Sequence, residues 1–236
     1  MLEKSGDETV LKNILEIVNE QDAQQESKPT DNPPEIYLND QLLKQVEHNE
    51  NLLKSEHFEL ISEWVYEVSR TVLRKFLTKL KFKVSNPSYN FKLLFKESED
   101  GFTPTDFHKK CDNKGPTLTV LKVKGEDEIL GGYNPYNWDS PAEQKEIPTK
   151  KSFIFKFNLN NPENFVFSRA KRYRKAAIKL SSHHGPNFKD LRMTNDSQDG
   201  SRWRYSHKFY DKKIRDSESD TFSVDDYEVF QVELKS

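Results

Sequence analysis

The sequence predicts an α+β fold: a two-sheet antiparallel β-sandwich with flanking helices, preceded by a helical and partly disordered N-terminal extension. Three observations carry this. From residue 86 onward, prolines at 87, 104, 116, 135, 141, 148, 162 and 186 separate short runs of aromatic and β-branched residues, which is how serial strands read. Serial strands with few helices between them favour packed antiparallel sheets over a parallel α/β arrangement. Residues 40–82 contain no Gly or Pro and hold a helical pattern. Residues 19–35, NEQDAQQESKPTDNPPE, are polar with three prolines, the composition of a linker. The boundaries that follow are an extension over 1–55 and a β-rich domain over 56–234.

In chain order, Ser5 and Glu8 have capping-box spacing. Val10, Leu11, Ile14, Leu15 and Val18 then share one face, which predicts a short helix over 5–18. So short a helix is marginal alone; it reads as a partly formed helix outside the main fold or as a docking helix for a partner or a second copy. Beyond the linker, Leu42, Leu43, Val46, Leu52 and Leu53 suit one amphipathic helix. Phe58, Ile61, Trp64, Val65, Val68, Val72, Phe76 and Leu80 suit a second. Arg70, Arg74, Lys75, Lys79, Lys81 and Lys83 make its end basic, where cations suit the helix dipole.

The strand runs are 91–98, 117–124, 128–133, 152–158, 163–168, 176–181 and 227–234. The run at 117 starts apolar on both faces, as a central strand does. One short helix interrupts them, with Thr103 as cap, Pro104 in its first turn, and Phe107 and Cys111 on one face. The tract 194–220 is polar and reads as a long surface loop.

Composition narrows the class. Basic and acidic residues nearly balance at a net charge of −2, so there is no global drive toward nucleic acid or anionic membranes. The single cysteine, Cys111, excludes an intrachain disulfide and suits a reducing compartment. The first twenty residues lack a basic start and an apolar run, and nothing approaches a membrane span. The expectation is a soluble protein of the cytoplasm.

Four ordered blocks carry a family resemblance: residues 91–124, EILGGYNPYNWDS (128–140), SFIFKF (152–157) and DDYEVFQV (225–232). Together they resemble the TLDc domain, with closest likeness to fungal-type members, in which a BTB–BACK adaptor region often precedes the domain. The family pattern is a Leu-Leu-aromatic strand, S-x-D-G-F, a helix with Phe-His and Cys-Asp, then G-P-T-L. A Gly-Gly-aromatic turn, a tryptophan motif and a terminal glutamate-aromatic strand follow.

On that pattern the fold-determining residues are Asp100, Gly101, Phe102, Phe107, Cys111, Gly115, Pro116, Gly131, Gly132, Trp138, Glu228 and Phe230. Asp100-Gly101 is turn chemistry, and Gly131-Gly132 allows positive φ or close backbone approach. Phe102, Phe107, Trp138, Phe153, Phe155 and Phe230 are expected in the core. The family usually carries Gly-Pro-x-Phe-Gly-Gly; here GPNFKDLRM (185–193) has Lys189 where the glycine pair begins.

No nucleophile elbow, HExxH or P-loop is present, and neither cofactor nor metal site is expected. His108 and Cys111, three apart, lack a second ligand pair of suitable spacing. A redox role for Cys111, its pKa lowered by Lys109, Lys110 and Lys114, would lack a resolving cysteine. The run RAKRYRK (169–175) supplies Arg169, Lys171, Arg172, Arg174 and Lys175. It reads as a solvated loop, as a contact for an acidic protein partner, or as a contact for nucleic acid or a lipid headgroup. The resemblance implies a non-catalytic interaction domain, a V-ATPase-associated regulator linked to oxidative-stress resistance. The alternative is an adaptor module recruiting another client; a redox enzyme using Cys111 is the third reading.

Overall fold

The computed structural model describes residues 51–69, 88–171, 177–194, 202–216 and 219–235. The helix expected at 5–18, the linker at 19–35, most of the helix over 42–53 and the basic helix end at 70–83 lie outside the described residues. Leu52 and Leu53, just inside them, form a bend before the next helix.

Helix α1 spans Ser55–Ser69. Nothing in it breaks a helix, and the Lys54 N–H at its entry donates to His57 Nδ1 at 3.1 Å. Its buried residues His57, Ile61, Trp64 and Val65 fall at steps of four, three and one, a single stripe. Strand β1 (Tyr89–Lys96) leads into the four-residue helix α2 (Glu97–Asp100) and then α3 (Pro104–Cys111). Thr103 and Asp106 cap α3 reciprocally, with Pro104 in the first turn. The remaining strands are β2 (Thr117–Val123), β3 (Glu128–Asn134), β4 (Lys145–Ile147), β5 (Phe153–Asn158), β6 (Asn161–Arg169), β7 (Ile178–Leu180), β8 (Leu191–Thr194), β9 (Arg202–Ser206) and β10 (Ser219–Leu234).

Every strand pairing is antiparallel. The large sheet runs β6-β5-β3-β2-β10, with β1 on the far side of β10. Strand β10 belongs to two sheets. Residues 219–223 pair with β9, which pairs with β8; from Val224 it pairs with β2. The register shift between Val224 and Asp226 marks the change of partner, a bulge turning a sandwich corner. Strands β4 and β7 pair separately.

The two faces of the large sheet bury different cores. On one face Leu53 and the α1 residues Ile61, Trp64 and Val65 pack against Leu118, Val120, Tyr133, Phe153, Phe155, Phe157, Phe230 and Val232. Trp64 stacks on Phe157 and Phe167, with centroids 5.6 and 4.8 Å apart. On the other face Phe95, Phe107, Cys111, Trp138, Phe188, Trp203 and Tyr205 fill the space beneath α3 and the β8–β9 hairpin.

Four expectations change. The tract 194–220 is not one surface loop: Arg202–Ser206 is a strand, with Trp203 and Tyr205 inward and the arginines outward, and Tyr210 and Ile214 are buried beyond it. The alternation is there in RWRYS, hidden by its polar surroundings. Phe102 is 54% exposed because Gly101, at φ 105°, turns the chain outward ahead of α3. Gly131 and Gly132 lie inside β3 and not in a turn, and positive φ belongs to Gly101, Gly115 and Gly125. The pair serves close approach instead. A Cβ on Gly131 would sit 2.5 Å from the Thr119 carbonyl oxygen, and one on Gly132 2.8 Å from the Phe188 ring. The fourth change is the state of the Cys111 thiol, described with its surroundings below.

Candidate functional site

Residues that looked chemically interesting in sequence turn out to hold the fold. His108 contacts Asp112 Oδ1 through Nδ1 at 2.7 Å, and the carbonyls of Ser181 and His184 through Nε2 at 3.0 and 2.9 Å. Both ring nitrogens are thus engaged, and the side chain ties α3 to the 181–184 segment. Cys111 is fully buried, and burial pushes its thiol well above the ordinary value; Lys110 and Lys114 pull the other way and are outweighed. The expected lowering by lysines therefore does not occur. Trp138 donates from Nε1 to Thr117 Oγ1 at 2.7 Å and packs on Phe107 and Phe188. The Lys96 N–H donates to Asp100 Oδ2, and the Gly115 N–H donates to Asn137 Oδ1. The Pro116 carbonyl accepts from the Val232 N–H, holding the entry to β2 against β10. Phe230 meets Phe58 edge-on in the aromatic core.

Glu228 is fully buried on the α1 face. Its Oε2 accepts from the Leu52 N–H at 2.9 Å, while Oε1 has no partner. Burial raises this carboxyl to about 7, against the opposing Leu52 hydrogen bond and Lys96.

Of the run RAKRYRK, the described residues include Arg169 and Lys171; Arg172, Arg174 and Lys175 lie outside them. Arg169 forms an ion pair with Glu67 and lies over the Phe167 ring at 5.3 Å. Lys171 is exposed.

A different cationic site is built by the fold. A pocket of about 520 Å³ opens on the β8–β9 side, lined by Lys179, Lys189, Arg192, Arg204 and Lys208 together with His184, Asn187, Ser206 and Phe209. These cations come from β7, the 187–190 turn, β8, β9 and the loop after it. The turn is set by backbone bonds from Phe188 N–H to the Leu191 carbonyl and from Met193 N–H to the Pro186 carbonyl. Behind the wall, Asp190 is fully buried. It accepts from the Ser206 hydroxyl and from the amides of Lys208, Phe209 and Tyr210 at 2.7–3.0 Å. That carboxylate folds the 206–210 loop back so that Lys208 and Phe209 reach the pocket.

The pocket breaks two local rules. Lys189 adopts φ 64°, a left-handed conformation costing a non-glycine residue about 1 kcal/mol. Arg192 and Arg204 sit directly opposite each other across the β8–β9 pairing, where like charges repel. Burial, then Arg204, push the Arg192 guanidinium below its ordinary value, with Asp190 opposing. His184 is also lowered, by burial and then by Lys179, His183 and Arg192. Lys189 pairs with Glu146; no described carboxylate forms an ion pair with Lys179, Arg192, Arg204 or Lys208. Arg215 shows the opposite economy elsewhere, with Glu126, Glu128 and Asp220 all on one guanidinium.

A family model for the TLDc domain matches residues 46–233. The chain belongs to the TLDc family. A comparison with curated proteins finds no match. The TLDc match encloses both cores and the whole pocket. Among the described residues of this TLDc domain, no three His, Cys, Asp or Glu side chains group to hold a metal ion. No described helix is long and apolar enough to cross a membrane.

Sequence reading missed the pocket because its cations are spread over 179–208 with no run among them. One signal was available: a lysine at 189, where the family pattern has glycine.

Proposed function

We propose that this TLDc domain acts by binding and not by catalysis, and that it docks an acidic protein surface against the pocket face. The observation that carries the reading is the charge of the pocket: every ionised side chain lining it is cationic, with Glu146 paired to Lys189 and the buried Asp190 behind Arg192 as the described carboxylates that offset it. Such a surface speeds encounter with an acidic partner and selects against basic ones. The groups that would suit chemistry are spent on structure. Both nitrogens of His108 are used, Cys111 is enclosed, and both oxygens of Asp190 accept amides.

The first candidate partner is the peripheral sector of the V-ATPase, which the TLDc resemblance implies, with the protein in the cytoplasm and an oxidative-stress role following from pump regulation. The test is capture of isolated peripheral sector by the purified full chain at low and high salt. Capture that weakens steeply with salt supports the reading. A folded chain that captures no pump subunit at micromolar concentration removes the pump and leaves the adaptor-type module recruiting another client.

A further inference from the structure

We propose that the cleft of Lys179, Lys189, Arg192, Arg204 and Lys208 is a binding site for a small polyphosphate, a ligand carrying two or more phosphate groups. The inference rests on the reading of this pocket as the domain's binding site and names the chemistry of what enters it.

Three observations point to phosphate. The first is charge. Five cations converge; Glu146 offsets the one at Lys189 and the buried Asp190 part of that at Arg192, which leaves an excess of about three positive charges. A single carboxylate would leave most of that charge unmatched, whereas two or more phosphates come close to neutralising it. The second is geometry. Arg192 and Arg204 are cross-strand partners, so both side chains leave the same face of the hairpin and line one pocket. Each can grip a phosphate through two parallel N–H donors, and the lysines add point charges around them. Arg192 is held in place by a bond from Nη1 to the Lys189 carbonyl at 2.7 Å, which leaves its remaining donors for a ligand. The third is size. About 520 Å³ is the volume of a small-molecule site.

Backbone strain at Lys189 and repulsion between Arg192 and Arg204 are costs in the empty domain. A bound polyanion relieves the second and uses the cation that the first puts in place. Strain retained where it positions a ligand group is a mark of function. Asp190 supplies the rigid support: its carboxylate fixes the loop carrying Lys208 without entering the pocket.

The experiment titrates inorganic tripolyphosphate into the full chain at physiological ionic strength, read by calorimetry and thermal shift, with sulfate as comparison. Saturable one-to-one binding, at least about tenfold tighter than for sulfate, is expected. It should fall about tenfold or more in Arg192→Gln/Arg204→Gln and persist in Lys92→Gln/Lys124→Gln, which removes equal charge elsewhere. Arg204→Gln alone, an exposed position, keeps the test valid if the double variant unfolds. A second arm measures binding to vesicles containing phosphatidylinositol bisphosphate. Vesicle binding displaced by tripolyphosphate assigns the site to a lipid headgroup; tripolyphosphate binding without vesicle binding assigns it to a soluble ligand. Binding no tighter than sulfate, equal loss in both pairs of variants, or no binding of either probe overturns the proposal. Polyphosphate binding without pump capture leaves this site standing and removes the partner; capture without polyphosphate binding does the reverse.

Discussion

The two faces of the large sheet solve different problems. The α1 face is an aromatic layer in which one tryptophan touches five phenylalanines, with Glu228 as a buried carboxyl at its edge. The opposite face is covered by α3, the β8–β9 hairpin and loops, and these are fastened by polar latches at His108 and Asp190. Apolar burial is non-directional and tolerates exchange at similar volume. Polar latches are directional, so they can hold a loop in one place and keep five like charges together. Stability is concentrated on the first face and position on the second, and the cationic pocket lies on the second.

The largest effect expected tests the first face. Trp64→Ala removes the center of the aromatic layer and should cost roughly 3–5 kcal/mol, read by chemical denaturation. A loss under 1 kcal/mol would show that α1 is dispensable to the domain. Next is the main latch of the second face. Asp190→Asn sets an amide donor among N–H donors and should cost roughly 2–4 kcal/mol. It should also loosen the 206–210 loop, read by hydrogen exchange at Phe209 and Tyr210. Unchanged exchange there would mean the loop is held by other contacts.

How legible each face was follows from the same physics. The strands of the large sheet announce themselves as aromatic and β-branched runs, and β2 and β5 match theirs to within a residue at either end. Thr103 and Pro104 at the start of α3 were equally readable, because they act on neighbours in sequence; the structure adds Asp106 as the reciprocal cap. The second face depends on contacts distant in sequence. Strands β4 and β8 have three and four residues, too few to show a period. Strand β9 carries its aromatics between arginines. The pocket charges meet through folding, while the visible run at 169–175 has Arg169 committed to Glu67. Tertiary proximity, not composition, makes a cationic site here.

The buried carboxyl on the α1 face makes stability depend on pH. Folding raises Glu228 from an ordinary value of 4.5 to about 7. The folded domain therefore binds the extra proton between those values. Its stabilising effect is fully present below about 4.5 and is lost as pH rises through about 7. Glu228→Gln keeps an acceptor for the Leu52 N–H without charge. Its stability should stay flatter between pH 5 and 8, where the natural chain loses up to roughly 2–3 kcal/mol. Parallel pH profiles for the two proteins would place Glu228 in water. The smallest effect is expected at the pocket. Lys189→Gly relieves the left-handed strain and should leave stability unchanged or raise it by up to about 1 kcal/mol, while tripolyphosphate affinity falls. A clear loss of stability would make Lys189 a structural residue.

We propose that charge gathered by folding, and not charge adjacent in sequence, is what this TLDc domain presents to a partner. The direct measurement compares two double reversals of equal charge in capture of the V-ATPase peripheral sector: Arg192→Glu/Arg204→Glu in the pocket and Arg172→Glu/Arg174→Glu in the basic run, each confirmed folded by its melting curve. Capture should weaken at least about tenfold for the pocket pair and change within about threefold for the run. Loss of capture on reversing the run, with the pocket variant unaffected, would contradict it.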